Sequence, residues 1–302
     1  MIKKPLTVTI GIPAHNEEAN IGKLLVSLLS QRQIGWKLDK IIVVSDASTD
    51  KTSVLVKHFN DRRIKLIDDG RRLGKPGRIN QLFNQETSDV VVIIDADIMI
   101  SSTSIISELI APMKHSSKVQ LVSGNASPAK PTTFAQKVGY AGVMIWYLAR
   151  KLAPQSDMYF CEGPIRAFGK KLYKDMTFPL ASADDAFAYI YAKKRGFQFH
   201  YAEKAAIYFK LPATYLDYTK QYSRILQSSD IQENNFDKMA VETYYTVSRK
   251  IKLRSLAIKL VRDPFWTSCY LLFILRPKIE KVFRRYKDQA AWDIVRSTKN
   301  YA

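Results

Sequence analysis

The sequence predicts an α/β protein built on a mainly parallel sheet with helices on both faces. Two observations carry this. Short β-branched runs of four to seven residues alternate with helical-period segments over the first hundred residues, and most of these runs lead into a polar turn rich in acidic residues. No internal repeat or low-complexity segment interrupts the alternation.

Residues 6–12 (Leu-Thr-Val-Thr-Ile-Gly-Ile) read as a strand, since the run is too short for a helix, and Pro13 ends it. A helix opens at Asn16 or Glu17 and keeps Ile21, Leu24, Leu25, Leu28 and Leu29 at helical spacing. Residues 41–44 form a second, buried-type strand, 45–50 a polar turn and 52–59 a helix. Strand 64–67, helix 76–83 and strand 89–94 follow. Beyond residue 100 the rhythm loosens. Residues 102–114 are expected as helix, 119–124 as strand, 134–152 as a long apolar helix and 158–168 as strand and loop. Residues 184–195 are expected as a helix with Gly196 at its C-cap. From about residue 230 the chain turns basic and helical. The expected organisation is an α/β domain over 1–230, with halves at about 1–100 and 101–230, followed by a mostly helical extension over 231–302.

A chain of 302 residues can bury a sizeable core, and 46% hydrophobic content excludes a disordered polymer. Cys161 and Cys269 stand far apart without the C-x-x-C spacing of a zinc or redox site, so no disulfide framework is implied and a reducing compartment fits best. Residues 1–5 carry no apolar signal region, so the expected location is the cytoplasm or the cytoplasmic face of a membrane.

The net charge is +19, and residues 249–302 hold 14 basic against 4 acidic side chains. Charge alone does not separate nucleic acid, an anionic membrane and a solvated helix. The 11-residue apolar stretch Phe265–Leu275 is well short of the ~20 residues of a spanning helix. Arg262 and Arg276 bracket it, and Trp266 and Tyr270 lie inside it, the mixture expected at a lipid headgroup boundary. Lys278, Lys281, Arg284, Arg285 and Lys287 add charge suited to anionic lipid. The expected partner is therefore an anionic membrane surface rather than nucleic acid. The competing reading packs the apolar stretch on the core.

In an open parallel sheet, ligands bind beyond the carboxyl ends of the strands. Three polar stretches fall there: Pro13-Ala14-His15-Asn16-Glu17, residues 45–50 with Asp46, and Asp95-Ala96-Asp97. Each alone is also what a helix cap or solvated loop looks like. Together they suggest one site. Asp95 and Asp97, two apart at a strand exit, are expected to project to the same side and offer hard oxygens to Mn²⁺ or Mg²⁺, whose other ligands come from substrate phosphates. Asp46 suits the imide N–H of a uracil ring.

The order of these motifs resembles the family 2 glycosyltransferases of the GT-A fold over roughly residues 6–225. Residues 12–18 are similar to I-P-x-x-N-E, which lines the nucleoside pocket. Residues 44–50 are similar to V-D-D-x-S-x-D, with Ser45 in place of the first Asp and Asp46 on the uracil-contacting aspartate. Gly74-Lys75 through Asn80 looks like G-K-x-x-A-x-N, with Arg78 where Ala is usual, and Asp95-Ala96-Asp97 falls on D-x-D, whose second Asp is the metal ligand. Ala183-Asp184-Asp185 followed by Gly196-Phe197 is similar to the family's E-D and G-Y pair, which implies Asp185 as general base. Gly163, after Glu162, resembles the acceptor-loop glycine. Gln221 and Arg224 match part of Q-x-x-R-W, but Ile225 replaces its tryptophan, which favours transfer of one residue per encounter.

The resemblance implies an inverting, metal-dependent hexosyl transfer from a nucleotide diphosphate-sugar, UDP-sugar foremost. The acceptor hydroxyl belongs to a glycan, polysaccharide or lipid-linked acceptor. It makes residues 1–100 the nucleotide-binding half and 101–230 the acceptor half. Two rival readings fit less well. A sugar nucleotidyltransferase should open with a glycine-rich loop after the first strand, and residues 13–18 contain no glycine. A decayed basic scaffold for membrane or nucleic acid would not be expected to keep Asp46, Asp97 and Asp185 together.

Overall fold

Val90 to Ile94 is a strand with every side chain buried, as a central strand covered on both faces must be. The computed structural model that contains it describes residues 4–153, 157–180, 183–245, 248–283 and 295–299. The chain begins β1 (Leu6–Ala14), α1 (Ile21–Leu29), β2 (Trp36–Ser45), α2 (Thr52–Lys57), β3 (Ile64–Ile67), α3 (Gly74–Gln85) and β4 (Val90–Ile94). It continues as β5 (Ile98–Ile100), α4 (Ile105–His115), β6 (Val119–Pro128), α5 (Phe134–Leu152), β7 (Ile165–Gly169), α6 (Lys170–Asp175), α7 (Asp184–Lys194) and β8 (Gln198–Phe209). Four helices follow: α8 (Tyr215–Asn235), α9 (Lys238–Tyr245), α10 (Arg249–Arg262) and α11 (Pro264–Phe283).

The eight strands form one sheet in the order β3-β2-β1-β4-β7-β6-β8-β5. Within it β7 and β5 run against the other strands. Alternation of side chains splits the core in two. Val8, Ile10, Ile12, Ile41, Val43, Val92 and Ile94 pack with α1 and α4 on one face. Ile42, Val44, Val91, Ile93 and Phe168 pack with Leu82, Phe83, Phe187 and Ile190 of α3 and α7 on the other.

The expected elements through residue 94 are present with shifted ends: β2 is longer than its apolar run, β1 runs through Pro13 to Ala14, and α1 starts at Ile21 rather than at Asn16 or Glu17, which lie in the loop that meets residues 45–52. Four elements were not anticipated: β5, α6, the 12-residue β8, and α8, which starts well before the basic segment expected from about residue 230. In β8, Ala202 pairs with Gly124 and Ala206 with Asn125, so residues 203–205 bulge and break the two-residue period. The segment read as strand and loop resolves into a 3₁₀ turn at Asp157–Phe160 and the strand β7.

The C-terminal helices pack on the core. Phe273 lies 4.8 Å from Tyr215 and 6.0 Å from Phe134, Trp266 lies 5.4 Å from Phe134, and Lys137 sits 5.7 Å over the Trp266 ring. At Gly142 of α5 a methyl group would overlap the Tyr270 ring, so glycine permits the close approach of α11. Trp266 and Tyr270, expected at a lipid boundary, therefore face protein. The opposite side of α11 presents Phe265, Leu272, Leu275 and Ile279, all exposed. Among the described residues no helix is long and apolar enough to cross a membrane. Arg284, Arg285 and Lys287, and the side chain of Lys281, lie outside the described residues. α8 runs across residue 230, where the composition changes.

If α11 is part of the core, Phe273→Ala lowers the unfolding free energy by ~2–3 kcal/mol, while Leu272→Ala stays within ~0.5 kcal/mol. Urea denaturation of both variants measures the contrast, and equal, negligible shifts would show α11 to be merely appended.

Candidate active site

The loops after β1 and β2 are zipped together side chain to backbone. The Asn16 and Glu17 amides donate to Ser48 Oγ (3.1 Å) and Thr52 Oγ1 (2.7 Å), and the Thr49 amide donates to Asn16 Oδ1 (2.8 Å). The Asp46 amide donates to the carbonyl of Ala14 (2.8 Å), carrying the pairing of β1 and β2 one step past the sheet. Asn16 and Ala47 both sit at positive φ, 54° and 55°, the turn geometry that lets the loops meet. Pro13 and Ala14 close β1, and the His15 ring shares a hydrogen bond with the Asp46 carbonyl at 2.7 Å and touches Arg72. Burial, with Arg72 and Lys299 adding to it, lowers the pKa of His15.

Asp46 is buried and belongs to the start of α3. Its Oδ1 accepts from the amides of Leu73 (2.7 Å) and Gly74 (3.0 Å) and from Arg78 Nε (3.1 Å). Its Oδ2 has longer contacts, 3.2 Å to the Gly74 amide and 3.3 Å to Arg72 Nε. A carboxylate at a helix N-terminus satisfies free amides and complements the dipole. Arg78, fully buried, bridges Asp46 to Asp69 (2.8 Å), which gives a physical reason for arginine at this position.

The first turn of α3 also carries Lys75 into the centre. Its ammonium lies 2.6 Å from Asp95 Oδ1 and 3.2 Å from Asp184 Oδ2, and 3.5 Å from the carbonyl of Gly163. Asp184 also pairs with Arg166 of β7, which is fully buried. Four charges thus alternate in sign from β4 to α3, α7 and β7. Burial alone would raise the Asp184 carboxyl, but Lys75 and Arg166 outweigh it and hold the group at about 2. Its neighbour Asp185 goes the other way. Burial and the charge of Asp184 raise its pKa against the pull of Arg166, while its Oδ1 accepts from the Ala186 amide at 2.7 Å. A Cβ at Gly163 would lie 3.6 Å from Asp185 Oδ2, so glycine keeps that oxygen's approach open.

Beside this cluster, Glu17 is buried and paired with Lys299, while Asn20 Nδ2 donates to Glu17 Oε2 at 2.9 Å. Burial and the charge of Asp97 push Glu17 up to about 7, and burial with Asp95 raises Asp97. Ala96 is buried between the two aspartates, and residues 95–97 form a turn rather than the extended strand end that was expected. The surplus of negative charge and the hard carboxylate oxygens fit a divalent cation. Among the described residues no three His, Cys, Asp or Glu side chains form a shell by themselves, so an ion held there would take other ligands from water and phosphate.

The sequence-derived residues His15, Asn16, Glu17, Asp46, Lys75, Asp95, Asp97, Gly163, Asp184 and Asp185 are therefore gathered at one sheet edge. Gln221 and Arg224 are half-buried on α8, which reaches the cluster further along, where the Gln232 amide donates to the Ala183 carbonyl at 3.3 Å. That is about 12–17 Å farther along the helix axis. Arg166, Arg72 and Lys299 were missed. A lone arginine inside the apolar strand Ile165–Gly169 was a usable signal for Arg166, whereas nothing in the local sequence marks Lys299.

With this geometry in place, the sequence model of glycosyl transferase family 2 matches residues 9–177, more than half of the chain. The chain belongs to that family. Among known members, the 4,4'-diaponeurosporenoate glycosyltransferase of Staphylococcus aureus (strain MRSA252) is 33% identical over 93 residues, covering 30% of this chain and 24% of that protein. The match thus spans about a quarter of the length of that curated relative. A mannosyltransferase from Pyrobaculum calidifontis, solved with GDP-Man and Mn²⁺, has a similar fold, with a TM-score of 0.68 at 16% identity over 94% of this chain and 89% of that one. Glucosyl-3-phosphoglycerate synthase from Mycobacterium tuberculosis, solved with Mn²⁺, UDP and phosphoglyceric acid, matches at a TM-score of 0.48 and 18% identity over 67% of this chain and 69% of that chain. The sheet seen here is thus a GT-A sheet, as family 2 membership leads one to expect.

The ion-pair chain makes a stability prediction. Asp184→Asn strands the buried Arg166 charge and lowers the unfolding free energy by ~3–5 kcal/mol, whereas adding Arg166→Met recovers much of that loss. The depressed Asp184 carboxyl stabilises the fold above its ordinary pKa of ~3.9, and that contribution disappears as pH falls toward about 2. Acid unfolding of the single and double variants tests both statements. Additive losses would mean the two residues are not coupled.

Proposed function

We propose that this family 2 enzyme transfers a hexose from a nucleotide diphosphate-sugar, UDP-sugar foremost, to an acceptor hydroxyl with inversion at the anomeric carbon. The supporting observation is the meeting of Asp185, with its raised pKa, and the Lys75–Asp95–Asp184 ion pairs beside the zipped 13–20 and 45–52 loops.

The two loops form the nucleoside wall, with the base contact assigned to Asp46 Oδ2, the oxygen with the longer protein contacts. Asp97 is the carboxylate assigned to Mn²⁺ or Mg²⁺, the same class of ion held by the Pyrobaculum calidifontis mannosyltransferase with its GDP-Man. When bound, that ion offsets charge on the departing diphosphate. Asp185 takes the proton of the acceptor hydroxyl as its oxygen bonds to the anomeric carbon and the bond to the diphosphate breaks. Lys75 keeps Asp95 and Asp184 in place during this exchange, and Gly163 leaves room for the acceptor. Gln221 and Arg224 of α8 are assigned to the far end of a longer acceptor, in glycan, polysaccharide or glycolipid synthesis. A peripheral position on the cytoplasmic face of a membrane accords with the exposed Phe265, Leu272, Leu275 and Ile279 on α11 and the basic residues around them.

Asp185→Asn should lower transfer by ~10²-fold or more while leaving donor affinity nearly intact, because shape is kept and the base is lost. In the wild type, rate falls as pH drops through the raised Asp185 pKa, so the acid limb lies above the ordinary carboxyl range, and the variant lacks that limb. Steady-state kinetics over UDP-, GDP- and dTDP-sugars with Mn²⁺ measure this. Collapse of donor affinity with an intact saturated rate would move Asp185 to the donor site, and full activity in chelator would remove the metal role of Asp97.

For the membrane face, the full chain should co-float with anionic but not neutral vesicles at low salt. Replacing Phe265 and Leu272 together by Asp should abolish flotation without changing the melting temperature. Equal flotation by that variant would exclude the α11 face.

A further inference from the structure

Residues 295–299 lie across the outer side of the loop after β1. Val295 and Thr298 are buried there. Ser297 is fixed at two points ahead of and within α8: its amide donates to Asp217 Oδ2 (2.9 Å), and its hydroxyl oxygen accepts from the Ala213 amide (2.9 Å). The segment is thus docked before it reaches Lys299. There the Lys299 ammonium donates to the His15 carbonyl (2.8 Å) and to Glu17 Oε1, while the Lys299 carbonyl accepts from Asn20 Nδ2 (2.7 Å). Asn20 Nδ2 also donates to Glu17 Oε2 (2.9 Å), which closes a ring of contacts through Lys299, Glu17 and Asn20.

Two further facts give this ring consequence. Glu17 is 4% exposed, and Lys299 brings a cation to its buried carboxylate, so removing that side chain leaves the carboxylate to Asn20 in a medium that solvates charge poorly. The zipper to residues 45–52 holds the loop from the other side, through the Asn16, Glu17 and Glu18 amides. Without the Lys299 side chain, the edge of the loop facing residues 295–299 would keep the Asn20 bond to the backbone carbonyl of residue 299 but lose the ties to the His15 carbonyl and to Glu17.

We infer that Lys299 is a positioning residue for donor binding, clasping residues 15–20 in the shape that receives the nucleoside and supplying the counter-charge to Glu17. This rests on the reading of that loop as the nucleoside wall. Lys299 acts through His15 and Glu17 and is not assigned contact with the diphosphate.

The experiment compares wild type, Lys299→Ala and Lys299→Arg by calorimetric titration with UDP and uridine in Mn²⁺, with GDP and guanosine alongside. It adds hydrogen exchange at residues 14–20 and kinetics of nucleotide-sugar turnover. Lys299→Ala is expected to weaken UDP and uridine by a similar factor of ~10 or more, to raise KM accordingly and to leave kcat within ~3-fold. Lys299→Arg should restore affinity to within ~3-fold, and exchange at residues 16–20 should accelerate in the Ala variant alone. Unchanged or tighter nucleotide binding by Lys299→Ala overturns the inference, the latter by making the segment an obstruction. Loss confined to UDP also overturns it, in favour of direct phosphate contact. A wild-type protein that binds no nucleotide, but whose loop exchange still responds to Lys299→Ala, would sink the donor-site reading and retain the clasp.

Discussion

Asp184 is shared by two cations, and much of the molecule is arranged so that this can happen. Lys75 reaches it from α3, Arg166 from β7, and Lys75 passes on to Asp95 at the end of β4. Alternating charges of this kind tolerate burial because each is flanked by its opposite, whereas any one removed leaves its neighbours in a medium that solvates them poorly. The chain fixes the start of α7 relative to the central strands, and so it fixes Asp185. It also separates the chemistry of two adjacent carboxyls. Lys75 and Arg166 hold Asp184 ionised against burial, while burial, and after it the charge of Asp184, raises the proton affinity of Asp185.

A second constraint is the joint between the loops after β1 and β2. Their hydrogen bonds are mostly from backbone amides to side-chain oxygens of Asn16, Ser48, Asp50 and Thr52. Short polar side chains suit this work because they lose little rotamer freedom when fixed, and here they tie together two loops 32 to 35 residues apart in sequence. The same residues that read as generic turn formers in the sequence therefore act as fasteners. Arg78 extends this arrangement, since a fully buried guanidinium needs two carboxylates and finds Asp46 and Asp69.

Legibility of the sequence followed the range of the forces involved. β1 to β4 and the helices between them were readable because each buries a continuous or periodic apolar set of its own. The acidic motifs were readable because each falls just after such a run. β8 was not, because its bulge at residues 203–205 places Glu203 and Lys204 side by side where alternation would forbid it, and only pairing with β6 makes the segment a strand. β5 is three residues long and exists by virtue of its partner β8. The fate of Phe265 to Leu275 depended on packing against Phe134 and Gly142 of α5 and Tyr215 of α8, which a local pattern does not encode. Lys299 is 282 residues from Glu17, and no spacing rule connects them.

The position of β5 in the sheet says something about Asp95 and Asp97 that their acidity does not. β4 and β5 are joined directly through the turn at residues 95–97, yet β7, β6 and β8 stand between them in the sheet order. Four strand spacings laid flat would span ~19 Å, while the four residue steps from Ile94 to Ile98 reach at most ~14 Å even when extended. The rim of the sheet must therefore roll inward until the two strands meet, and the acidic turn is the stitch that holds the roll closed. Its length sets a circumference. A family member with one more residue between the two aspartates could keep both carboxylates and still lose the curvature that brings them to Lys75.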